Sequence, residues 1–177
     1  MTAVVGVVDG SHVWIGADSA GVANWSVVNR KDPKVFRLGP MLVGFTSSFR
    51  MGQLIRYSMK APPEAPPEDP YAYMVSEFVP RLRKCLKRGG FAKVENGREE
   101  AGTMLIGYCG HLFEIGEDYQ VGEGFDGYAA VGGGYEVALG ALYASGDHLP
   151  ADRVKIALEA AAAHHIGVRP PFVVEML

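Results

Sequence analysis

Met1-Thr2-Ala3-Val4-Val5-Gly6-Val7-Val8-Asp9-Gly10-Ser11-His12-Val13-Trp14-Ile15-Gly16-Ala17-Asp18-Ser19 opens the chain, and this run divides at Asp9-Gly10. Residues 4–8 and 12–17 are short, apolar and rich in β-branched side chains, the composition of strands. Asp-Gly between two such runs is a strong hairpin signal, because these residues tolerate the positive φ of a tight turn. An antiparallel strand pair is therefore predicted, with Asp18 at the end of its second apolar run.

Residues 25–28 and 35–38 are further strand candidates, and Gly39-Pro40 turns the chain into a third over 41–46. From Phe49 the period changes, since Phe49, Met51, Leu54, Ile55 and Met59 keep one helical face. The proline-rich stretch 61–70 cannot continue a helix and is read as a stiff surface loop. Residues 71–88 resume helical spacing despite Pro80, with Arg81, Arg83, Lys84, Lys87 and Arg88 as a solvated basic face. Gly89-Gly90 ends that helix, and the polar stretch to Glu100 is read as a loop. Residues 103–109 and 111–115 form a second strand pair across Gly110, with Cys109 expected to be a buried free thiol. Short strands over 118–123 and 128–131, helices over 135–145 and 152–164, and a strand over 172–176 complete the chain. Helices in pairs among strands imply an α+β fold.

A chain of 177 residues is the size of one domain, taken as 1–177, and can bury a substantial core. The net charge of −3, with scattered Lys and Arg, gives no electrostatic footprint for nucleic acid. The apolar runs are too short to span a bilayer. Nothing at the N-terminus reads as a secretory leader, so a cytoplasmic location is expected. Cys85 and Cys109 match no metal or redox spacing, and His164 and His165 diverge on a helix. No metal and no cofactor is expected.

The polar residues of the first fifty positions carry the chemistry. A small residue after Met1 favours removal of that methionine, which leaves Thr2 with a hydroxyl and a free α-amine. Such a residue is a nucleophile with its own general base. Asp18 and Lys34 follow Thr2 by 16 and 32 residues, each at the boundary of an apolar run. An ammonium near the amine lowers its pKa towards neutrality, and a carboxylate makes that ammonium tolerable inside a cleft. Ser47 and Ser48 follow the 41–46 strand and by themselves suit a helix N-cap.

These spacings resemble the proteasome β-subunit family and its bacterial relative HslV, whose N-terminal Thr is followed by an Ala-Asp-Ser-type motif and a Lys opening a strand. Ala17-Asp18-Ser19, Lys34 and Met41-Leu42-Val43-Gly44-Phe45-Thr46-Ser47-Ser48 carry the resemblance. It extends weakly through Ala130-Val131-Gly132-Gly133-Gly134 and the Ala-rich helix after Asp152. The resemblance implies a four-layer αββα sandwich, the Ntn-hydrolase fold, and a threonine endopeptidase with Thr2, Asp18 and Lys34 as catalytic residues. Ser47, Ser48, Gly21 and Gly133 are then implied as oxyanion- or substrate-binding positions. It further implies a peptide or unfolded-protein substrate, homo-oligomeric rings and an ATP-dependent unfoldase, although no sequence feature identifies one. The stretch 157–163 would let helices of neighbouring copies approach closely. Departures are present too. Ser47 and Ser48 replace the usual glycine pair, Gly133 stands where the family has a serine, and His165 and Val168 replace an Asp and a Ser. An Ntn amidase acting on a small amide and a catalytically silent shell protein are the alternatives.

Overall fold

A computed structural model describes residues 2–63, 67–91, 93–95 and 97–177. Met1 and the centre of the proline-rich stretch lie outside the described residues. The chain runs β1 (Ala3–Asp9), β2 (His12–Ala17), β3 (Ala20–Ala23), β4 (Ser26–Asn29), β5 (Val35–Leu38), β6 (Met41–Phe45) and α1 (Phe49–Ser58). It continues with α2 (Pro70–Tyr73), a π-helical segment (Met74–Phe78), α3 (Val79–Arg88), β7 (Lys93–Glu95) and β8 (Arg98–Glu100). Then follow β9 (Met104–Tyr108), β10 (His111–Ile115), β11 (Val121–Glu123), β12 (Tyr128–Gly132), α4 (Tyr135–Ala144), α5 (Pro150–His164) and β13 (Val173–Met176).

One sheet has the order β12-β1-β2-β13 and the other β11-β10-β9-β6-β5. Three apolar cores correspond to the three interfaces of a four-layer αββα sandwich. Val4, Val13, Ile15, Leu42, Leu105 and Leu112 fill the space between the sheets. Burying each such side chain is worth roughly 1.5–3 kcal/mol. Met51, Ile55, Phe78, Leu82 and Leu86 pack α1 and α3 onto the second sheet. Ala138, Leu142, Val154, Leu158 and Ala161 pack α4 and α5 onto the first. Ala157 and Ala161 are fully buried in this last core. Ala157 and Ala161 of the 157–163 stretch therefore serve close packing within the chain.

Glycines set how closely the two sheets approach. A Cβ at Gly44 of β6 would lie 2.6 Å from Val4 Cγ1 and 2.8 Å from Ile15 Cγ2. Such a contact cannot be accommodated in a close-packed core. The near approach of β6 to β1 and β2 brings the start of β5 beneath the end of β2, where the candidate site lies.

Several elements depart from the expectations. Residues 71–88 are interrupted by the π-helical turn, in which the Val79 N–H donates to the Met74 carbonyl. That wider turn lies directly before Pro80, whose ring conflicts with the carbonyl four residues back in an α-helix. β3 pairs with β4, and β7 pairs with β8 where a loop was expected. The β7–β8 hairpin lacks the apolar alternation by which strands are recognised in sequence. Cys109 is exposed, because it turns between β9 and β10 with φ of 52° instead of continuing the strand. Among the described residues, no helix is long and apolar enough to cross a membrane.

Candidate active site

Thr2 lies immediately before β1 and is only 6% exposed. The hairpin turn falls one residue later than the Asp-Gly signal suggested, at Gly10-Ser11 with Asp9 paired to His12, and sets β1 antiparallel to β2 with Val4 opposite Ala17. One residue further out, the Ala3 N–H donates to Asp18 Oδ1 at 3.1 Å and the Asp18 N–H donates to the Ala3 carbonyl at 3.4 Å. The hairpin register alone therefore brings Asp18 beside the residue that follows Thr2.

Lys34 comes from the other sheet. It precedes β5, and its carbonyl accepts from the Phe45 N–H of β6 at 3.1 Å. Its Nζ donates to Asp18 Oδ1 at 2.7 Å, with both side chains completely buried. Asp18 Oδ2 accepts from the Ala20 N–H at 2.9 Å and the Arg169 N–H at 3.3 Å. Four donors surround this carboxylate, which is the condition under which a buried anion is tolerated. Burial pushes the Lys34 ammonium below the usual lysine range, while Asp18 pulls it back up.

Ser47 and Ser48 are near neighbours with different duties. The Ser48 N–H donates to the Thr46 carbonyl at 2.8 Å, and the Ser48 hydroxyl accepts from the Arg50 N–H as N-cap of α1. Ser48 is thereby committed to the turn and the helix. Ser47 has φ of 68°, and its N–H has no acceptor among the described residues. A non-glycine residue in this region stores roughly 1–3 kcal/mol of strain, which the surrounding structure must hold. Its support is the Thr46 hydroxyl, 3.0 Å from Ser47 Oγ, 2.7 Å from the Thr103 hydroxyl and 3.0 Å from the Thr103 carbonyl.

The glycine run 132–134 forms the opposite wall. Gly133 N–H donates to the Thr2 carbonyl at 2.6 Å. Gly132 has φ of +92°, and a Cβ there would lie 2.0 Å from the Thr2 carbonyl oxygen. Only glycine permits this approach. Gly21 lies in β3 opposite Val28, and a Cβ there would meet Arg30 Cδ at 2.7 Å.

Two clefts meet at Thr2. The larger, about 800 Å³, is bordered by Thr2, Ser47, Thr103, Gly133 and Tyr135, with Glu114, Glu117 and Glu123 along its walls. The smaller, about 300 Å³, is bordered by Thr2, Gly21, Lys34, Ser47, Ser48 and Phe49. Six of the seven candidate residues border these clefts and Asp18 joins them through its bond to Lys34, so all seven surround one centre. Arg30, Phe49, Thr103 and Arg169 join it without having been singled out in the sequence. The Arg30 guanidinium sits 3.9 Å over the Phe49 ring and is paired with Asp32 at 2.7 Å. Arg30 and Asp32 form a short local charge pattern that could have drawn attention. Nothing local marks Thr103 or Arg169. Among the described residues, no three His, Cys, Asp or Glu side chains converge as a metal site.

Architecture and residue placement together define the proteasome-type Ntn-hydrolase fold. The structure is similar to Thiobacillus denitrificans BPH in complex with epoxomicin (TM-score 0.84, 21% identity), covering 99% of this chain and 97% of that one. It is also similar to the eukaryotic HslV from Trypanosoma brucei (TM-score 0.66, 20% identity, covering 99% and 98%). A third similar structure is Anbu, the ancestral beta-subunit from Yersinia bercovieri (TM-score 0.69, 16% identity, covering 98% and 80%). No family model and no curated protein matches the chain.

Proposed function

We propose that the chain is a threonine peptidase of the proteasome/HslV type, with Thr2 as nucleophile once Met1 is removed. The observation that carries this reading is the buried Lys34–Asp18 pair at 2.7 Å, whose carboxylate also holds the Ala3 N–H adjoining Thr2. A buried ion pair contributes little stability for its cost, so its position beside a hydroxyl and an α-amine calls for a chemical reason. An α-amine ordinarily titrates at about 7.7–8.0, and a neighbouring ammonium lowers that value. The amine is then a base at neutral pH.

In the proposed reaction Thr2 Oγ attacks the scissile carbonyl and its proton passes to the α-amine. The developing oxyanion accepts from the Ser47 N–H, a donor of a kind whose loss costs about 3–4 kcal/mol. Collapse expels the leaving amine, which takes the proton and leaves an ester on Thr2. Water activated by the same amine hydrolyses that ester. Asp18 holds Lys34 and the start of β1 in register, and Gly133 anchors the Thr2 carbonyl. The two clefts on either side of Thr2 favour an extended peptide over a small amide. Rings enclosing the sites, an ATP-driven unfoldase and a cytoplasmic setting belong to the same proposal and rest on likeness of fold.

The test is intact-mass and peptide mapping after incubation with epoxomicin, the compound held by the similar BPH structure, alongside turnover of a peptide panel. A single adduct on an N-terminal Thr2 and peptide hydrolysis are expected, with both lost in Thr2→Ala. Absence of adduct and of hydrolysis in the wild type would refute the peptidase and leave the silent shell. Hydrolysis confined to simple amides would favour the amidase.

A further inference from the structure

His165 is the residue after α5, and the imidazole is held in one orientation. Its backbone N–H donates to the Ala161 carbonyl at 2.8 Å, and its carbonyl accepts from the Val168 N–H at 3.1 Å. Nδ1 accepts from the Gly167 N–H at 3.1 Å. That bond places the ring proton of the neutral side chain on Nε2. The free edge of the ring lies against the glycine run. From the Cβ position of Gly133, His165 Cε1 is 2.6 Å away and Nε2 is 2.8 Å away. From the Cβ position of Gly134, His165 Cβ is 3.1 Å away. The ring therefore occupies the space that any side chain at Gly133 would need.

Gly133 is also the residue whose N–H holds the Thr2 carbonyl at 2.6 Å. The segment carrying His165 reaches the other wall of the site as well. Four residues on, the Arg169 N–H donates to Asp18 Oδ2 at 3.3 Å, and the Arg169 carbonyl accepts from the Ser19 N–H at 3.1 Å. One loop thus touches both the clamp on Thr2 and the carboxylate that pairs with Lys34. We infer that His165 is a positioning residue for Thr2, its imidazole bracing the 132–134 turn so that the Gly133 N–H grips the Thr2 carbonyl. The inference rests on the reading of Thr2 as nucleophile and extends it to a residue packed against Gly133, whose N–H holds the Thr2 carbonyl. Gly133 and His165 form a complementary pair, in which the missing side chain of one makes room for the ring of the other.

His165→Asn tests the role, because the amide oxygen can still accept from the Gly167 N–H while no ring reaches Gly133. Folding, assembly and KM should match the wild type, whereas kcat and the rate of Thr2 labelling by epoxomicin should each fall about ten-fold. Displacements of an ångström at a reacting group can cost about 100-fold, so the expected change is a partial loss of alignment. Gly133→Ala should be more damaging alone, and adding His165→Ala should recover several-fold of its kcat by removing the ring that the new methyl meets. A wild-type kcat and labelling rate in His165→Asn, or no recovery in the double variant, would overturn the inference. A wild type that takes no label at Thr2 refutes the nucleophile itself, and the inference falls with it. Labelled wild type with an indifferent His165→Asn overturns the inference alone.

Discussion

Replacing Lys34 by Met removes one of the four donors around Asp18 while keeping most of the buried volume. Breaking a buried ion pair by deleting one partner costs about 3–5 kcal/mol, because the remaining charge is uncompensated. Here the Ala3, Ala20 and Arg169 N–H groups still face the carboxylate, so the lower end applies, about 3 kcal/mol. For a chain of this size about 1 kcal/mol corresponds to roughly 2–4 °C, and the midpoint should fall by roughly 6–12 °C. Asp18→Asn should be worse. Each carboxylate oxygen faces two donors, so an NH₂ on either side opposes two N–H-type groups and leaves the Lys34 ammonium unpaired. The double variant should cost less than the two single losses together by at least about 1 kcal/mol, the signature of direct coupling. Thermal unfolding at one protein concentration measures all three. Arg81→Ala is the control, since Arg81–Glu77 is an exposed pair one helical turn apart, worth about 0.3–0.5 kcal/mol. A Lys34→Met midpoint no further from wild type than the control, or strict additivity in the double variant, would refute the argument that this pair is a coupled buried unit.

The depressed pKa of Lys34 has opposite consequences for activity and stability. The folded chain releases this proton below 10.5, so the proposed charge on Lys34, and with it turnover, should decline as pH rises through the window beneath that value. In that window the unfolded chain binds the extra proton, so the Lys34 contribution to stability increases with pH. Parallel profiles of peptide hydrolysis and unfolding between pH 8 and 10.5 check both signs, and turnover undiminished up to 10.5 would rule out the electrostatic role. Light scattering in native buffer should show a large homo-oligomer, and a fully active 19 kDa monomer would remove the enclosed-ring proposal.

Much of the architecture was legible because it depends on short-range chemistry. The Asp9-Gly10 signal and two β-branched runs mark the first hairpin, whose loop is Gly10-Ser11, and that hairpin's register carries Asp18 back beside Ala3, the residue after Thr2. The helical periodicities locate α1, α3, α4 and α5, and Pro80 marks the place where the π-helical turn intervenes. Spacing also pointed to Lys34, although nothing in a linear chain requires that lysine to be buried. The tertiary structure decided that, because the close approach of the sheets at Gly44 slides the start of β5 under β2. It also decided which serine N–H has no acceptor among the described residues, since Ser48 is consumed by the turn and the α1 cap while Ser47 turns through positive φ. The same holds for Cys109, whose apolar neighbours suggested burial but whose place in the β9–β10 turn exposes it. Arg169, Thr103 and His165 reach the site from segments far along the chain. Their contacts depend on how four layers stack, a long-range outcome of packing that local propensity and spacing do not encode.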